Sequence, residues 1–315
     1  MGQYTPLNSE NLLVECDVLR EPIHYSFYDN HVLNVVENEK GEDHAGNVLE
    51  MLASMKKSFS KRLDDIKKAL ETISLYKYID IDGLGYWLKD NKLYWNRVSD
   101  SWEDPYENYF LKETFVLEDG KLMGADNNIP GVFGQSWTMR EETDAMWRIY
   151  SKEDGNGVVN GSKVYTGVRI KTTASKLLDV IYTSGSSMAN LWIGKVKYLT
   201  EEQINKTLEG GITDIATSLA YSFFNKRVEF EHEHEFRAIK LMDSEAIGNT
   251  LQYKRIAFPI EDMDCFIDSF VLDPRLSDAN FAVLEKKLES MGASPAKISK
   301  SQLYHFSPIN VKVLQ

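Results

Sequence analysis

The stretch Lys226-Arg227-Val228-Glu229-Phe230-Glu231-His232-Glu233-His234-Glu235-Phe236-Arg237 alternates so regularly that it predicts a strand with two unlike faces. Side chains alternate across a strand, so Val228, Phe230, His232, His234 and Phe236 share one face. Glu229, Glu231, Glu233, Glu235 and Arg237 share the other. Same-face neighbours stand roughly 7 Å apart, so four carboxylates in a row repel and raise some of their own pKa values. Such a ladder either lies on solvent or serves a site. The pair His232 and His234 could touch a metal from one face, but no third or fourth ligand stands out in the sequence.

The chain has 315 residues, 43% of them apolar, with a formal charge of −12 and a pI near 5.1. That length supports one large domain or two smaller ones. The acidic balance argues against an extended basic groove for nucleic acid, while leaving room for a compact basic pocket. Two distant cysteines, Cys16 and Cys265, suggest neither a disulfide framework nor a metal knuckle and fit a reducing compartment. No signal peptide and no bilayer-length apolar run is visible, so a soluble cytoplasmic protein without membrane contact is expected.

Residues 1–73 are expected to form an N-terminal extension, polar at first and then a long amphipathic helix over about 44–73. Leu52, Met55, Phe59, Ile66, Leu70 and Ile73 recur there at helical spacing. From residue 74 to 315 short strands and helices interleave, which predicts an α+β domain with a mixed, largely antiparallel sheet and flanking helices. Thr200-Glu201-Glu202-Gln203 reads as a capping box. Ser277 to Met291 reads as a helix closed by Gly292, and Ile298 to Phe306 as a last strand. Met146, Trp147 and Tyr150 lie at helical spacing and are expected in a core. Asp104-Pro105-Tyr106-Glu107 has a turn signature in which Asp bonds its own backbone.

Several short segments together resemble one bacterial family, domain of unknown function 2971. They are Tyr76-Lys77-Tyr78; Trp102 to Glu107; Ser136-Trp137 with Ala145 to Ser151; Gly167-Val168-Arg169-Ile170-Lys171; Lys226-Arg227 with Glu233 to Arg237; and Lys300 to Tyr304. The match runs over about 72–310, and that family name implies no activity. The layout also resembles ADP-ribosyltransferases, including bacterial toxins that modify nucleic acid. This second resemblance implies an ADP-ribosyltransferase-like fold, NAD as substrate, and transfer to a macromolecular acceptor, whether RNA, DNA or protein, by a toxin or phage-defence effector. It implies Glu235 as the catalytic carboxylate, with Glu233 positioning or activating the acceptor. Tyr78, Ser136 and Trp137 would hold the nicotinamide ribose, with Lys77 as the early cofactor-binding anchor. Arg97, Arg169 and Arg237 are available for the pyrophosphate, and Arg97 and Arg237 would meet phosphate or brace the carboxylates. The residue types suit the chemistry, because a carboxylate stabilises an oxocarbenium-like state and an aromatic ring stacks on nicotinamide. The chain departs from the pattern in having no Ser-Thr-Ser and in carrying Lys at the early position. No metal is expected on this route.

Two alternatives belong to other classes. One is a nuclease with Asp104, Glu107, Glu233 and Glu235 around Mg²⁺. The other is a non-catalytic protein that docks a partner, an antitoxin for example, through helix 44–73.

Overall fold

The computed structural model of the protein describes residues 23–25, 68, 70–102, 104, 106–107, 109, 114–116, 119–124, 131–159, 162–183, 191–209, 222–241 and 254–308. The expected helix over 44–73 lies almost wholly outside them. The described residues fall into two compact units. One draws on Met1–Leu75, Leu93–Met139 and Thr173–Pro259, the other on Tyr76–Lys92, Arg140–Thr172 and Ile260–Gln315. Both mix helices with strands that are mostly antiparallel, as the sequence predicts. No helix among the described residues is long and apolar enough to cross a membrane.

In the first unit the strand Glu235–Leu241 runs antiparallel between Leu191–Lys195 and Val132–Thr138. Glu235 through Lys240 are all buried, as befits a strand covered on both faces. The register puts small neighbours beside the one long cation: Arg237 stands opposite Gly194 on one side and Ser136 on the other. Gly134 lies two residues before Ser136, on the same face. A methyl there would come 3.1 Å from Val98 Cγ2 and 3.4 Å from Trp102 Cζ2, so its hydrogen lets Trp102 approach the sheet. Val98, Tyr109, Val132, Trp192, Ile204, Phe223, Phe224 and Ile239 form the apolar core beside it.

The stretch that opened the sequence analysis is not one strand. Asn225–Arg227 pairs in parallel with Lys197–Leu199, Val228–Glu233 winds into a 3-10 helix, and the ladder resumes only at Glu235–Leu241. A 3-10 helix eclipses residues three apart, and burial follows that period. Val228 and Glu231 are exposed, Glu229 and His232 are exposed, and Phe230 and Glu233 turn inward. His234 closes the turn at φ 45°, a left-handed conformation that His adopts more readily than most residues. The turn sends two of the four glutamates to water and so reduces the repulsion that a continuous ladder would impose.

In the second unit Gly167–Thr173 pairs antiparallel with Ser269–Leu272, which pairs in parallel with Ile298–Lys300. That last strand ends at Lys300, and the residues to Phe306 that were expected to extend it form turns and irregular chain. Helix Asp144–Tyr150 is capped by Thr143, and helix Asp278–Ser290 by Ser277, with Gly292 at φ 103° just beyond it. Tyr78, Met146, Trp147 and Val271 pack together, which places Met146 and Trp147 in a core as expected, whereas Tyr150, at the end of the helix, is exposed.

Gly167 is the tightest position in this unit. Its N–H donates to Ser151 Oγ at 3.0 Å, and a Cβ there would sit 2.3 Å from Ser151 Cβ and 2.8 Å from Ser151 Cα. We expect Gly167→Ala to cost about 2 kcal/mol or more through overpacking, read as a lowered urea midpoint. Gly292→Ala meets nothing within 4 Å and carries only backbone strain of roughly 1 kcal/mol. Equal losses at the two positions would contradict this account.

Candidate active site

The first unit buries five charged side chains against one another. Lys226 comes from the short strand Asn225–Arg227, Glu233 from the end of the 3-10 helix, Glu235 and Arg237 from one face of the central strand, and Glu107 from the turn after Asp104. The Lys226 ammonium donates to Glu235 Oε1 at 2.6 Å and to Glu233 Oε2 at 2.7 Å, and lies 3.3 Å from Glu107 Oε1. Arg237 donates Nε to Glu235 Oε2 at 2.6 Å, Nη1 to the Phe223 carbonyl at 2.7 Å, and Nη2 to Glu107 Oε1. Its guanidinium lies 3.9 Å from the centre of the Trp102 ring and is 1% exposed. Each oxygen of Glu235 is thus held by a different cation.

The backbone fixes these groups as firmly as the side chains do. Glu235 N–H donates to Tyr198 Oη at 2.8 Å, and Thr138 Oγ1 donates to the Glu233 carbonyl at 2.6 Å. A flanking pair closes one side. Arg227 reaches both oxygens of Asp104, at 3.0 and 3.2 Å, and lies 4.9 Å from the Tyr106 ring centre and 5.5 Å from that of Phe230. Asp104 also accepts from Tyr106 N–H at 3.1 Å, the turn bond that the sequence predicts.

Charge counting decides the protonation. Glu107, Glu233 and Glu235 carry three negative charges against two positive ones on Lys226 and Arg237. Burial penalises the surplus charge, so one carboxyl should keep its proton. Glu233 is that group: burial first, then its hydrogen bond to Glu235 and repulsion from it, push its pKa up to about 7. Burial also works to raise Glu235, but the Arg237 guanidinium, the proton offered by Glu233 and the Lys226 ammonium outweigh it and hold Glu235 well below the usual carboxylate range. The pair therefore titrates as a unit with one ionised and one switchable member. Burial likewise opposes the charge on Lys226, and the carboxylates of Glu235 and Glu107 more than restore it, leaving its pKa raised.

The residues proposed from sequence distribute as follows. Arg97, Ser136, Trp137, Glu233, Glu235 and Arg237 belong to the first unit, and Lys77 and Tyr78 to the second. Ser136 is half-buried opposite Arg237, and Trp137 is buried with its indole N–H donating to Gln135 Oε1 at 2.9 Å. Arg97 lies 3.8 Å from the Asp100 carboxylate. Arg237 braces carboxylates, the second of the two roles the resemblance offered. Tyr78 is buried; its hydroxyl reaches the Glu141 carbonyl at 3.4 Å, and burial pushes its pKa up to about 12. The two histidines do not share a strand face, since His232 is exposed and His234 sits in the left-handed turn. The four carboxylates assigned to Mg²⁺ in the nuclease alternative have Lys226, Arg237 and Arg227 bonded to them, and a divalent ion would have to displace those cations. Lys226, Tyr198 and Trp102 had no assigned role. Their one sequence signal was that Lys226 and Trp102 fall in the quoted segments.

No family model and no curated protein matches the chain. Among solved structures, Thermus sp. 2.9 DarT in complex with NAD+ aligns over 75% of this chain and 98% of its own, at 12% identity and a TM-score of 0.34. A superposition that loose establishes neither a shared fold nor matching site residues.

The split between the two glutamates has a measurable sign. Folded Glu233 keeps its proton to about pH 7, whereas the unfolded carboxyl releases it near the ordinary value of 4.5. Wild-type stability therefore falls between those pH values as the solution becomes more alkaline, by roughly 3 kcal/mol at most from this group. We expect Glu233→Gln, which mimics the protonated acid, to remove that decline and to match or exceed the wild type at pH 8. Glu235→Gln removes the anion that bonds both Arg237 Nε and Lys226, and should cost about 3 kcal/mol or more at pH 7. Urea titrations across pH 5 to 8 test both. A Glu233→Gln protein that loses stability with pH in parallel with the wild type would refute the assignment.

Proposed function

We propose that this protein is an NAD-dependent ADP-ribosyltransferase that modifies a macromolecule. The observation that carries the proposal is the Glu233 and Glu235 pair: adjacent buried carboxyls whose ionisation is driven apart, one fixed as an anion and one poised near neutral pH. Pairs of this kind divide acid–base work between them. The sequence resemblance to ADP-ribosyltransferases points to the same two residues.

The roles follow from the chemistry. The bond between the nicotinamide ring and its ribose breaks, nicotinamide leaves with the bonding electrons, and the ribose carbon becomes oxocarbenium-like. Glu235, held as an anion by Arg237 and Lys226, would stabilise that positive charge. The acceptor nucleophile then bonds to the ribose carbon, and ionised Glu233 takes its proton. Lys226 and Arg237 hold both carboxylates in place, and Ser136, beside Arg237, would bond the ribose. In the same proposal Arg97 meets phosphate. An acidic chain gains little from counterion release on long nucleic acid, so a nucleic-acid acceptor would be met briefly at one base. Such an activity suits a toxin or phage-defence effector.

Incubation with NAD labelled in its adenosine half and with cell lysate tests the proposal. We expect the wild type to transfer label, with EDTA present, at a rate that rises as pH passes about 7. Glu233→Gln should fold, lose about 100-fold or more in rate and lose that pH dependence. Glu235→Gln, checked for folding by circular dichroism, should lose at least as much. Label transferred equally by all three proteins, or by none, would overturn the assignment.

A further inference from the structure

The second unit carries a different arrangement, on the strand Gly167–Thr173. Arg169 and Lys171 project from one face of that strand, as alternate residues do, roughly 7 Å apart. Both stand over the same aromatic ring: Arg169 Cζ is 5.4 Å and Lys171 Nζ 6.0 Å from the centre of Tyr76. On the adjacent strand Val271 lies opposite Arg169 and Ser269 opposite Lys171, so that neighbour brings no acid to this face. We propose that Arg169 and Lys171, set above Tyr76, form a binding site for a phosphate-class oxyanion.

The hydrogen bonding of Arg169 supports this. The residue is 6% exposed, and its Nη1 donates to the Glu141 carbonyl at 2.6 Å. Its Nε–H is buried with no hydrogen-bond partner, an uncommon state for so strong a donor. The nearest carboxylates balance its charge without filling its donors. Glu141 lies 3.8 Å away and Glu142 3.6 Å, both beyond hydrogen-bonding range. Glu142 is held through Oε1, which accepts from Trp147 Nε1 at 2.6 Å and from the Ser301 hydroxyl, and its Oε2 stays 3.6 Å from Arg169 Nη1. The Glu141 side chain is 71% exposed and free to turn aside into water. Lys171 has no carboxylate partner among the described residues, and its ammonium contacts only the Tyr76 ring.

Two like charges above one ring, one of them unmatched, fit an anion that both can reach. A tetrahedral phosphate has oxygens enough to accept from a guanidinium fork and from an ammonium at once, with each hydrogen bond near 2.8 Å. A carboxylate offers two oxygens in one plane and a single charge, so a phosphate-class anion matches the two cations better in charge and in number of acceptors. Negative charge entering here would also satisfy the orphaned Nε–H.

The test is a titration of the full-length protein with sodium pyrophosphate at constant ionic strength, followed by tryptophan fluorescence and by thermal melting. Trp147 packs edge-on to Tyr78 at 4.8 Å and bonds Glu142, so it reports on this region. We expect a saturable fluorescence change and a raised melting temperature. Lys171→Gln should weaken binding about tenfold or more, and Lys171→Arg should restore most of it. Arg169→Lys should weaken binding as well; should that variant fail to fold, the Lys171 pair decides. The absence of a saturable response in the wild type, or equal affinity in Lys171→Gln, would overturn the proposal. Binding is read without NAD or turnover, so this result and the fate of the transferase proposal are independent.

Discussion

A guanidinium with almost no exposure to water sets the terms for the first unit. Taking Arg237 out of solvent costs several kcal/mol unless its donors are met and its charge is balanced. The structure meets that requirement from three directions: Glu235 two residues along its own strand, Glu107 from a distant turn, and the Phe223 carbonyl from the chain leading into Asn225–Arg227. Trp102 covers the remaining face of the guanidinium. The glycines and serine around it follow from the same demand, because a bulky side chain at Gly194 or Ser136 would compete with Arg237 for room on that face, and one at Gly134 would hold Trp102 away.

The local chain path serves that cluster. A continuous strand from Lys226 to Arg237 would have lined up four glutamates on one side, with Arg227 and Arg237 at the two ends of the row. The 3-10 turn replaces that ladder with a compact loop in which Lys226, at one end, comes back beside Glu233 and Glu235 at the other. Residues nine apart in sequence then lie 2.6 Å apart, which an extended chain cannot achieve, since nine residues of strand span about 30 Å. His234, at positive φ, is the pivot that lets the chain leave the turn and enter the sheet, and its carbonyl is secured by Met139 N–H at 2.9 Å.

How much of this could be read from residues alone depends on the range of the interaction. Local signals held. The Thr200 and Gln203 bonds are reciprocal, at 2.9 and 3.3 Å, Ser277 caps its helix, and Gly292 ends it. Alternation held from Glu235 onward, where the strand is real. It failed over Val228–Glu233 because glutamates spaced by two look the same whether a strand or a tight helical turn carries them. Only knowledge of what Lys226 touches separates the two. The candidate carboxylates were visible as residue types, but their division of labour was not. Glu107 lies 130 residues from Arg237, and Tyr198 lies 37 from Glu235. Pairings across such separations leave no periodicity to read. Arg169 and Lys171 were legible as a same-face pair, but the orphaned Nε–H was not, because donor satisfaction is a property of packing.

The cations in the carboxylate cluster are not equivalent, and that difference bears on how a ligand could enter. Arg237 is a rigid fork with Nε and both terminal nitrogens engaged, stacked on Trp102, so moving it would break several bonds together. Lys226 is a point charge on a flexible stem, with Glu233 at 2.7 Å and Glu107 at 3.3 Å as alternatives to Glu235. It can give up Glu235 Oε1 and stay paired. The lysine can therefore leave Glu235 while the arginine stays in place. The surplus carboxylate in the cluster makes that exchange cheap, because Glu233 can release its proton as the ammonium moves toward it. The third acid, which looks like an excess of negative charge, supplies Lys226 with partners other than Glu235.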